Sequence, residues 1–462
     1  MTADPAAPTP TPAKPQRGDE LELRIDALAF GGNGIARLPI GDRGYVVFVR
    51  DAIPGDLVRA VITKRKRDYA EARTLEVLEP GPDRIAPVAD HPGAPWQILP
   101  YERQLEVKAE QVDDALRRLG RLDGFELEPI VPAVETWRYR NKLEYSFGEQ
   151  DGELVCGFHA PGSWERILHI EDCLLASERG NEVRRLVLDT CRELGLGAYD
   201  RRAQTGFLRN LVVREGRRTG QVQARLVTSP GEFDEAAFVA AVAPHVDSLV
   251  WTRAAGVGET TQGGVDELLA GPVRIEEDLS GLRFALSPEA FFQTNTEMAE
   301  RLYATAAEFA ALKGWERVYD LCCGIGTIGL TLAPRAAEVL GVEIVEEAVT
   351  DAALNARANE LPNARFIAGD VRPVLKDLAE QGQRPDVVVV DPPRAGLSKK
   401  VVARIAEAAP KRIVYVSCNP TTLAPNAAQL TEAGYRLVRV RPVDMFPQTP
   451  HIECVALLER SA

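Results

Sequence analysis

No apolar run in this 462-residue chain approaches the ~18 residues of a membrane-spanning helix, so an integral membrane protein is not expected. The amino terminus also lacks an apolar core. Met1 to Gly18 is rich in Ala, Pro and Thr, which excludes a signal peptide and reads as a disordered leader. Histidine is scarce, with five in all and no HxxxH or HxH spacing, which argues against a metal enzyme. The seven cysteines (Cys156, Cys173, Cys191, Cys322, Cys323, Cys418 and Cys454) form no CxxC pair, so neither a zinc ribbon nor a redox motif is indicated. An odd, scattered set fits a reducing compartment, and a cytoplasmic protein is the simplest account. Net positive charge is missing too. At −13 the chain should have no broad affinity for nucleic acid, and any such binding must come from a local basic face. There is no internal repeat.

What is present is a soluble globular composition, 45% hydrophobic and 27% charged, with length enough for two or three domains. After the leader (1–18), residues 19–80 read as a compact β unit. Leu21-Glu-Leu-Arg-Ile-Asp26 alternates, Gly31-Gly-Asn-Gly34 turns, Gly44-Tyr-Val-Val-Phe-Val49 is a strand, and two more strands end at Leu78. A run of short strands in about sixty residues suggests a small barrel of the oligonucleotide-binding type. The basic run Lys64-Arg-Lys-Arg67 beside Tyr69 is either a phosphate-and-stacking surface or a solvated hairpin tip. Pro80 to Pro95 reads as a linker, followed by a helix from Tyr101 to Leu119 with Gly120 as its stop.

Residues 81–285, which include that helix, form a mainly β region: from Trp137 on the pattern is mostly short strands, interrupted by one helix near 178–194. Tyr139-Arg-Asn-Lys142, Phe207 to Arg214, and Arg201, Arg202, Arg217 and Arg218 make it locally positive, which suits phosphate contact. A lone Arg, however, is usually just solvated. Near Ser287 the period changes. From there to residue 462, strands near 317–321, 338–344, 365–368, 386–391, 412–417, 435–441 and 453–459 alternate with helix-length segments, as in a doubly wound α/β sheet. The last two strands are expected to form an antiparallel hairpin at the sheet edge.

Three stretches converge on the carboxyl end of that sheet, where open α/β sheets keep their ligand crevice. Asp320-Leu-Cys-Cys-Gly-Ile-Gly-Thr-Ile-Gly329 is a strand, a glycine turn and a helix start. Asp386-Val-Val-Val-Val-Asp391-Pro-Pro-Arg394 is a buried strand closed by a carboxylate, and Val414-Tyr-Val-Ser-Cys418-Asn-Pro420 is a strand ending in a thiol. Glu343, Asp370 and Asp391 close three successive strands, which suggests a nucleoside cofactor, although each could instead be a helix cap. Cys418 could be a small buried hydrophobe; at a strand end beside a turn, it could also be an exposed, stabilised thiolate. Glu453 could serve as a base if its strand end reaches the crevice.

Five motifs then occur in order: Phe291-Phe-Gln-Thr-Asn295, Asp320 to Gly326, Asp391-Pro-Pro-Arg-Ala-Gly-Leu397, Ser417-Cys-Asn-Pro420 and Pro450-His-Ile-Glu453. Together they resemble the S-adenosylmethionine-dependent RNA 5-methyluridine methyltransferase family. The front barrel, with Gly31 to Ala36 and Ile53-Pro-Gly-Asp56, resembles the TRAM domain and favours the 23S ribosomal RNA branch. The resemblance implies a Rossmann-like methyltransferase domain (286–462) preceded by an OB-like TRAM barrel and a mainly β central RNA-binding domain. It implies Cys418 as nucleophile, Glu453 as proton acceptor, and Gln293, Glu343, Asp370 and Asp391 as cofactor contacts. Cys322 stands where the family usually has an aromatic residue and Thr327 where Asn is common, so at these two positions the sequence departs from the family's side-chain contacts to the cofactor, and backbone contacts are what the resemblance leaves.

Many ribosomal-RNA members hold an iron–sulfur cluster on four cysteines. Here Ala89-Asp-His-Pro-Gly-Ala-Pro-Trp96 has none and only Cys173 matches a ligand, so no cluster is expected. The implied partner is RNA and the expected state a monomer. Alternatives are a transfer-RNA enzyme, an RNA-binding protein with a decayed site, an amino-methyltransferase that needs no cysteine and, more weakly, a nicotinamide oxidoreductase.

Overall fold

The computed structural model describes residues 14–40, 44–258 and 260–461, which divide into two compact units. Of the expected leader, residues 1–13 lie outside the described residues. Residues 14–18 run beside the first unit's strands, where Gly18 N donates to Ile62 O at 2.9 Å.

The smaller unit holds residues up to Asp90, then Ala94–Gln111 and Pro447–Pro450. Its strands are β1 (Glu20–Arg24), β2 (Ala27–Leu28), β3 (Gly34–Leu38), β4 (Tyr45–Arg50), β5 (Leu57–Arg65) and β6 (Tyr69–Glu79). They form one sheet in the order β1-β5-β6-β4-β3-β2. Alternation along β4 and β5 sends Tyr45, Val47, Val49, Val58, Ala60 and Ile62 into one core.

The stretch after β6, expected to be a linker, is instead packed and bonded. Buried Asp56 accepts from Gly81 N (2.8 Å) and from the Arg84 guanidinium (2.7 Å), and Gln97 bonds to the main chain of Val88 and Ala89. Burial alone would push the Asp56 carboxyl up, but Arg84 and the Ile53 and Gly81 amides hold it below the usual range. Prolines here shape a fixed path rather than a free spacer. Helix α1 (Tyr101–Asp114) follows, and a π-helical turn, Ala115–Leu119, leads to Gly120.

The larger unit opens with β7 (Glu126–Leu127), β8 (Lys142–Gln150), β9 (Glu153–His159), β10 (Ile167–His169) and helix α2 (Glu178–Glu193). There follow β11 (Leu208–Glu215), β12 (Val222–Thr228), α3 (Glu235–Val242), β13 (Ser248–Arg253) and β14 (Val265–Ala270). Seven of these strands make a sheet ordered β10-β9-β8-β11-β12-β13-β14, and the hairpin β15 (Ile275–Leu279) and β16 (Leu282–Leu286) stands apart. Several of the cations expected to make this region locally positive are paired or bonded. Arg202 pairs with Glu165, Arg217 with Glu297 and Arg218 with Glu300, while Arg201 donates to Phe147 O.

After α4 (Thr296–Ala310) the chain alternates: β17 (Arg317–Leu321), α5 (Thr327–Leu332), β18 (Glu338–Glu343), α6 (Glu346–Ala358), β19 (Ala364–Ala368), α7 (Val371–Glu380), β20 (Val387–Val390), α8 (Lys399–Ala408), β21 (Arg412–Ser417), α9 (Pro420–Glu432), β22 (Tyr435–Val443) and β23 (Glu453–Arg460). The sheet order is β19-β18-β17-β20-β21-β23-β22-β7. Strands β17 to β21 are parallel; the Val/Ile-rich runs of β20 and β21 are buried on both faces, while β19 at the edge is partly exposed. Val387 and Val389 enter one core while Val388 and Val390 enter the other. The closing hairpin is antiparallel, as expected, but it is not the edge. β7 pairs with β22, and Glu128 N and Val131 N cover the carbonyls of Val440 and Pro442 that an edge would expose.

Candidate active site

Strand order places the carboxyl ends of β18, β17, β20 and β21 side by side in the larger unit. Around them lies a cleft of about 740 Å³. All eight site residues expected from the sequence line it: Gln293, Cys322, Thr327, Glu343, Asp370, Asp391, Cys418 and Glu453.

The floor is the turn between β17 and α5. Gly324 and Gly326 are left-handed (φ 54° and 83°), as is Cys322 (φ 61°), a rare state for a residue with a side chain. A Cβ on Gly326 would stand 2.9 Å from the Phe366 ring. The turn is closed by Glu343, whose carboxylate accepts from Gly324 N (3.0 Å), Ile344 N (2.8 Å) and Val345 N (3.1 Å). Thr327 turns its hydroxyl to Tyr303 Oη, 3.0 Å away. Asp370 caps α7 by accepting from Arg372 N at 2.7 Å, so it is both a helix cap and a lining residue.

Gln293 is buried. Its carbonyl accepts from Asn141 Nδ2 at 2.8 Å, and the neighbouring Ala290 carbonyl accepts from Arg214 at 2.6 Å. Asn141, just before β8, and Arg214 of β11 thereby hold this wall in place.

The antiparallel register of β21 and β23 pairs Ser417 with Cys454, so the next step along sets Cys418 opposite Glu453. Asn419 caps α9, with its side-chain oxygen accepting from Thr421 N, and its amide donates to Arg394 O at 3.0 Å. That bond ties the loop after β20 to the loop carrying the thiol. Glu453 is buried, and its Oε2 has no hydrogen-bond partner in the protein. An orphaned carboxylate oxygen in a cleft is a group waiting for a ligand's proton or donor.

Burial dominates the electrostatics, and the carboxylates add to it. Burial raises the Glu453 carboxyl well above the ordinary range, and nearby Asp391 adds to the effect while Arg394 opposes it. Burial pushes Asp391 up to about 7. It also lifts Asp320 to about 7 against the pull of the Gly329 amide. The Cys418 thiol is pushed up to about 11 by burial and then by Glu453 and Asp391, with Arg394 the opposing cation. This reverses the expected stabilised thiolate: the strand end is half-buried and faces carboxylates, so the thiol is the resting form. Burial likewise pushes Cys322 to about 12.

Asp320, Arg394, Phe446 and Gln262 also line the cleft without having been assigned a role from the sequence. Arg394 lay within a recognised motif and was legible there. Gln262 arrives on the β13–β14 loop, and no local pattern announces it. Where the family's cluster ligands would fall, Cys173 Sγ lies 3.2 Å from His91 Nε2. Among the described residues, no group of three or more His, Cys, Asp or Glu is placed to hold a metal ion, and no helix is long and apolar enough to cross a membrane.

Comparison with known proteins gives this geometry a family. Residues 275–461 match the family described as tRNA (uracil-5-)-methyltransferase, and residues 14–75 match the TRAM domain. An RNA methyltransferase of Halalkalibacterium halodurans is 39% identical over 96% of this chain and 97% of its own. One from Bacteroides thetaiotaomicron is 39% identical over 94% of this chain and 100% of its own. The crystal structure of the Pyrococcus abyssi tRNA (uracil-54, C5)-methyltransferase in complex with S-adenosyl-L-homocysteine is 28% identical; the likeness covers 95% of this chain and 99% of that one, with a TM-score of 0.79. The glycine turn, the carboxylates closing its neighbouring strands and this full-length similarity agree: the chain belongs to the uracil-5 RNA methyltransferase family and is an S-adenosylmethionine-dependent RNA methyltransferase with an amino-terminal TRAM domain.

Proposed function

We propose that this enzyme methylates carbon 5 of a uridine in 23S ribosomal RNA through a covalent adduct on Cys418. The observation that carries the reading is Cys418 set opposite Glu453, whose Oε2 has no partner in the protein, in the lining of a nucleoside-sized cleft. The donor set suits the cofactor. Glu343 and Asp370 offer carboxylates at strand ends, Gln293 an amide, and Asp391 a carboxylate between them and the thiol, while Cys322 and Thr327 flank a glycine turn open to close approach. S-adenosylmethionine supplies the methyl group as a sulfonium and departs as a neutral thioether.

The chain's own residues do the rest. Carbon 5 of uracil is too weak a nucleophile alone, so Cys418 Sγ adds to carbon 6 and the displaced double-bond pair makes carbon 5 nucleophilic through an enolate. Once carbon 5 carries the methyl group, Glu453 takes its remaining proton. The pair left behind restores the double bond as the sulfur–carbon bond breaks and the thiolate leaves. A positive charge in the cleft lowers the pKa of both groups, so the thiolate and the carboxylate are favoured together. The target base must leave any stack to reach the thiol.

Transfer RNA is the second reading. The Pyrococcus abyssi protein is named for a tRNA uracil and shares nearly the whole chain, barrel region included, so the barrel alone does not choose the branch. A cytoplasmic monomer is the expected setting. The test gives purified protein labelled cofactor with unmodified ribosomal and transfer RNA in parallel, then identifies the labelled nucleoside by mass spectrometry. Label in 5-methyluridine from ribosomal RNA is expected; label only in transfer RNA would overturn the substrate. Cys418→Ala should abolish turnover while calorimetry still detects cofactor binding, and measurable turnover by that variant would sink the adduct.

A further inference from the structure

The seven-stranded sheet of the larger unit buries a cation of its own. Arg225 of β12 is almost wholly enclosed, and every nitrogen of its guanidinium is engaged. Nε donates to Thr252 Oγ1 at 2.8 Å and Nη1 to Pro288 O at 3.1 Å. Nη2 donates to Thr261 O and lies 3.4 Å from Glu289 Oε1. The Thr252 hydroxyl passes a bond on to Asp266 Oδ1 at 2.6 Å. Thr261 is held from its other side too, where its hydroxyl donates to Glu144 Oε2 at 2.9 Å.

Each segment that Arg225 grips delivers a polar side chain to the cleft. Gln262 follows Thr261, Glu289 follows Pro288, and both line it. Glu289 takes its contacts on one oxygen: Oε1 accepts from Gly263 N at 3.1 Å and faces Arg225. Among the described residues Oε2 has no partner, which leaves an open acceptor in the lining. The charge of Glu347, in the first turn of α6, acts on Glu289 and so fixes its side of the cleft. That helix begins just after Glu343 of β18, and the sheet order puts β17 and β20 between β18 and the strand that ends at Cys418. Three strand spacings are about 14 Å, so Glu289 stands with Glu343, away from the thiol.

We infer that Glu289 is a further cofactor-binding residue, its Oε2 accepting from a hydroxyl, amine or ammonium group of S-adenosylmethionine, and that Arg225 positions it. The inference rests on the cleft being the cofactor's site. Arg225 is a positioning residue: it does not line the cleft and acts through the segments it holds. Arginine suits the task because its planar fork donates in several directions at once, whereas a lysine would keep the charge and lose the span. Glu289 in turn answers a buried guanidinium that would be costly alone.

The test measures binding of S-adenosyl-L-homocysteine, which carries all of those donor groups, to the full chain by calorimetry. Glu289→Gln can keep a carbonyl on Gly263 N and turns the open acceptor into a donor. Affinity is expected to fall about tenfold, the scale of one hydrogen bond to a charged group. Arg225→Lys should weaken binding by about as much. The double variant should stay within about twofold of either single one, because Arg225 acts through Glu289. Where Arg225→Lys folds poorly, Thr252→Val, which removes the hydroxyl that orients the guanidinium, takes its place in the cycle. Alkylation of Cys418 reads the far side of the cleft and should stay within about twofold throughout. Faster alkylation in step with lost affinity would mean general loosening and overturn the inference. Unchanged affinity in Glu289→Gln would overturn the contact, and losses that multiply in the double variant would overturn the positioning role. Glu343→Gln tests the reading beneath: if it too binds as the wild type does, the cleft is not the cofactor's site.

Discussion

At the scale of single residues, the cleft's chemistry is set by neighbours that are remote in sequence. Cys418 sits between Glu453 and Asp391, with Arg394 as the opposing cation, and its thiol is pushed up to about 11. The thiolate is the deprotonated form, so below that value its share rises about tenfold for each pH unit. In the cofactor-free protein, alkylation of Cys418 by iodoacetamide should therefore climb about tenfold per unit from pH 7 to 10. Mass spectrometry of the Cys418 peptide measures it, and a plateau below pH 9 would contradict the electrostatic account. Glu453→Gln should speed alkylation at fixed pH by removing a negative neighbour. The sequence identified the thiol from its strand end and its Asn-Pro turn. It could not give the ionisation, because that depends on a carboxylate brought alongside by the β21–β23 register.

At the scale of elements, the glycine turn and the Gln293 wall are the parts whose geometry the cleft depends on. Gly326→Ala forces a side chain into the left-handed region, costing about 1–2 kcal/mol, and crowds the Phe366 ring, which adds about 1–3 kcal/mol. Urea unfolding should show a loss of about 2–5 kcal/mol, together with weaker cofactor binding. Asn141→Ala leaves the Gln293 carbonyl without the amide that holds it and should cost about 1–3 kcal/mol. Calorimetry should show lower cofactor affinity as well; unchanged affinity would mean that the wall stands without Asn141. The α/β alternation that builds the floor was legible because Val387–Val390 and its neighbours are continuous apolar runs. The wall's dependence on Asn141 and Arg214 was not, because each reaches a main-chain carbonyl far away in sequence. β7 escaped notice for a simpler reason: two residues give no periodicity.

At the scale of the whole molecule, the charge of −13 means that RNA must be met by local cations. The Lys64–Arg67 run at the β5–β6 turn is one candidate for such a place. Lys64 is paired with Glu71 at 3.0 Å and Arg65 contacts Gln16, while Phe48 and Tyr69 stand edge to face nearby. Replacing all four cations with alanine should weaken RNA binding at low salt. It should also reduce the slope of log affinity against log salt by up to about 3, at roughly 0.7–0.9 for each phosphate that the run neutralises. Filter binding across a salt series reads both, and an unchanged slope would return the run to the role of a solvated hairpin tip. The two readings stood level in the sequence because charge without a surface does not say which way it faces.

The return of Pro447–Pro450 to the amino-terminal unit bears on how the protein is made. Gln104 and Trp96 leave the ribosome early, yet their partner Gln448 emerges more than three hundred residues later. At 5–20 residues per second, that is a wait of roughly twenty seconds to a minute. Until then a buried amide and a main-chain N–H in the first unit have only water or a chaperone to satisfy them. A chain that stops short of Gln448 is thus defective at its front as well as its back, and quality control could recognise the unfinished copy from either end.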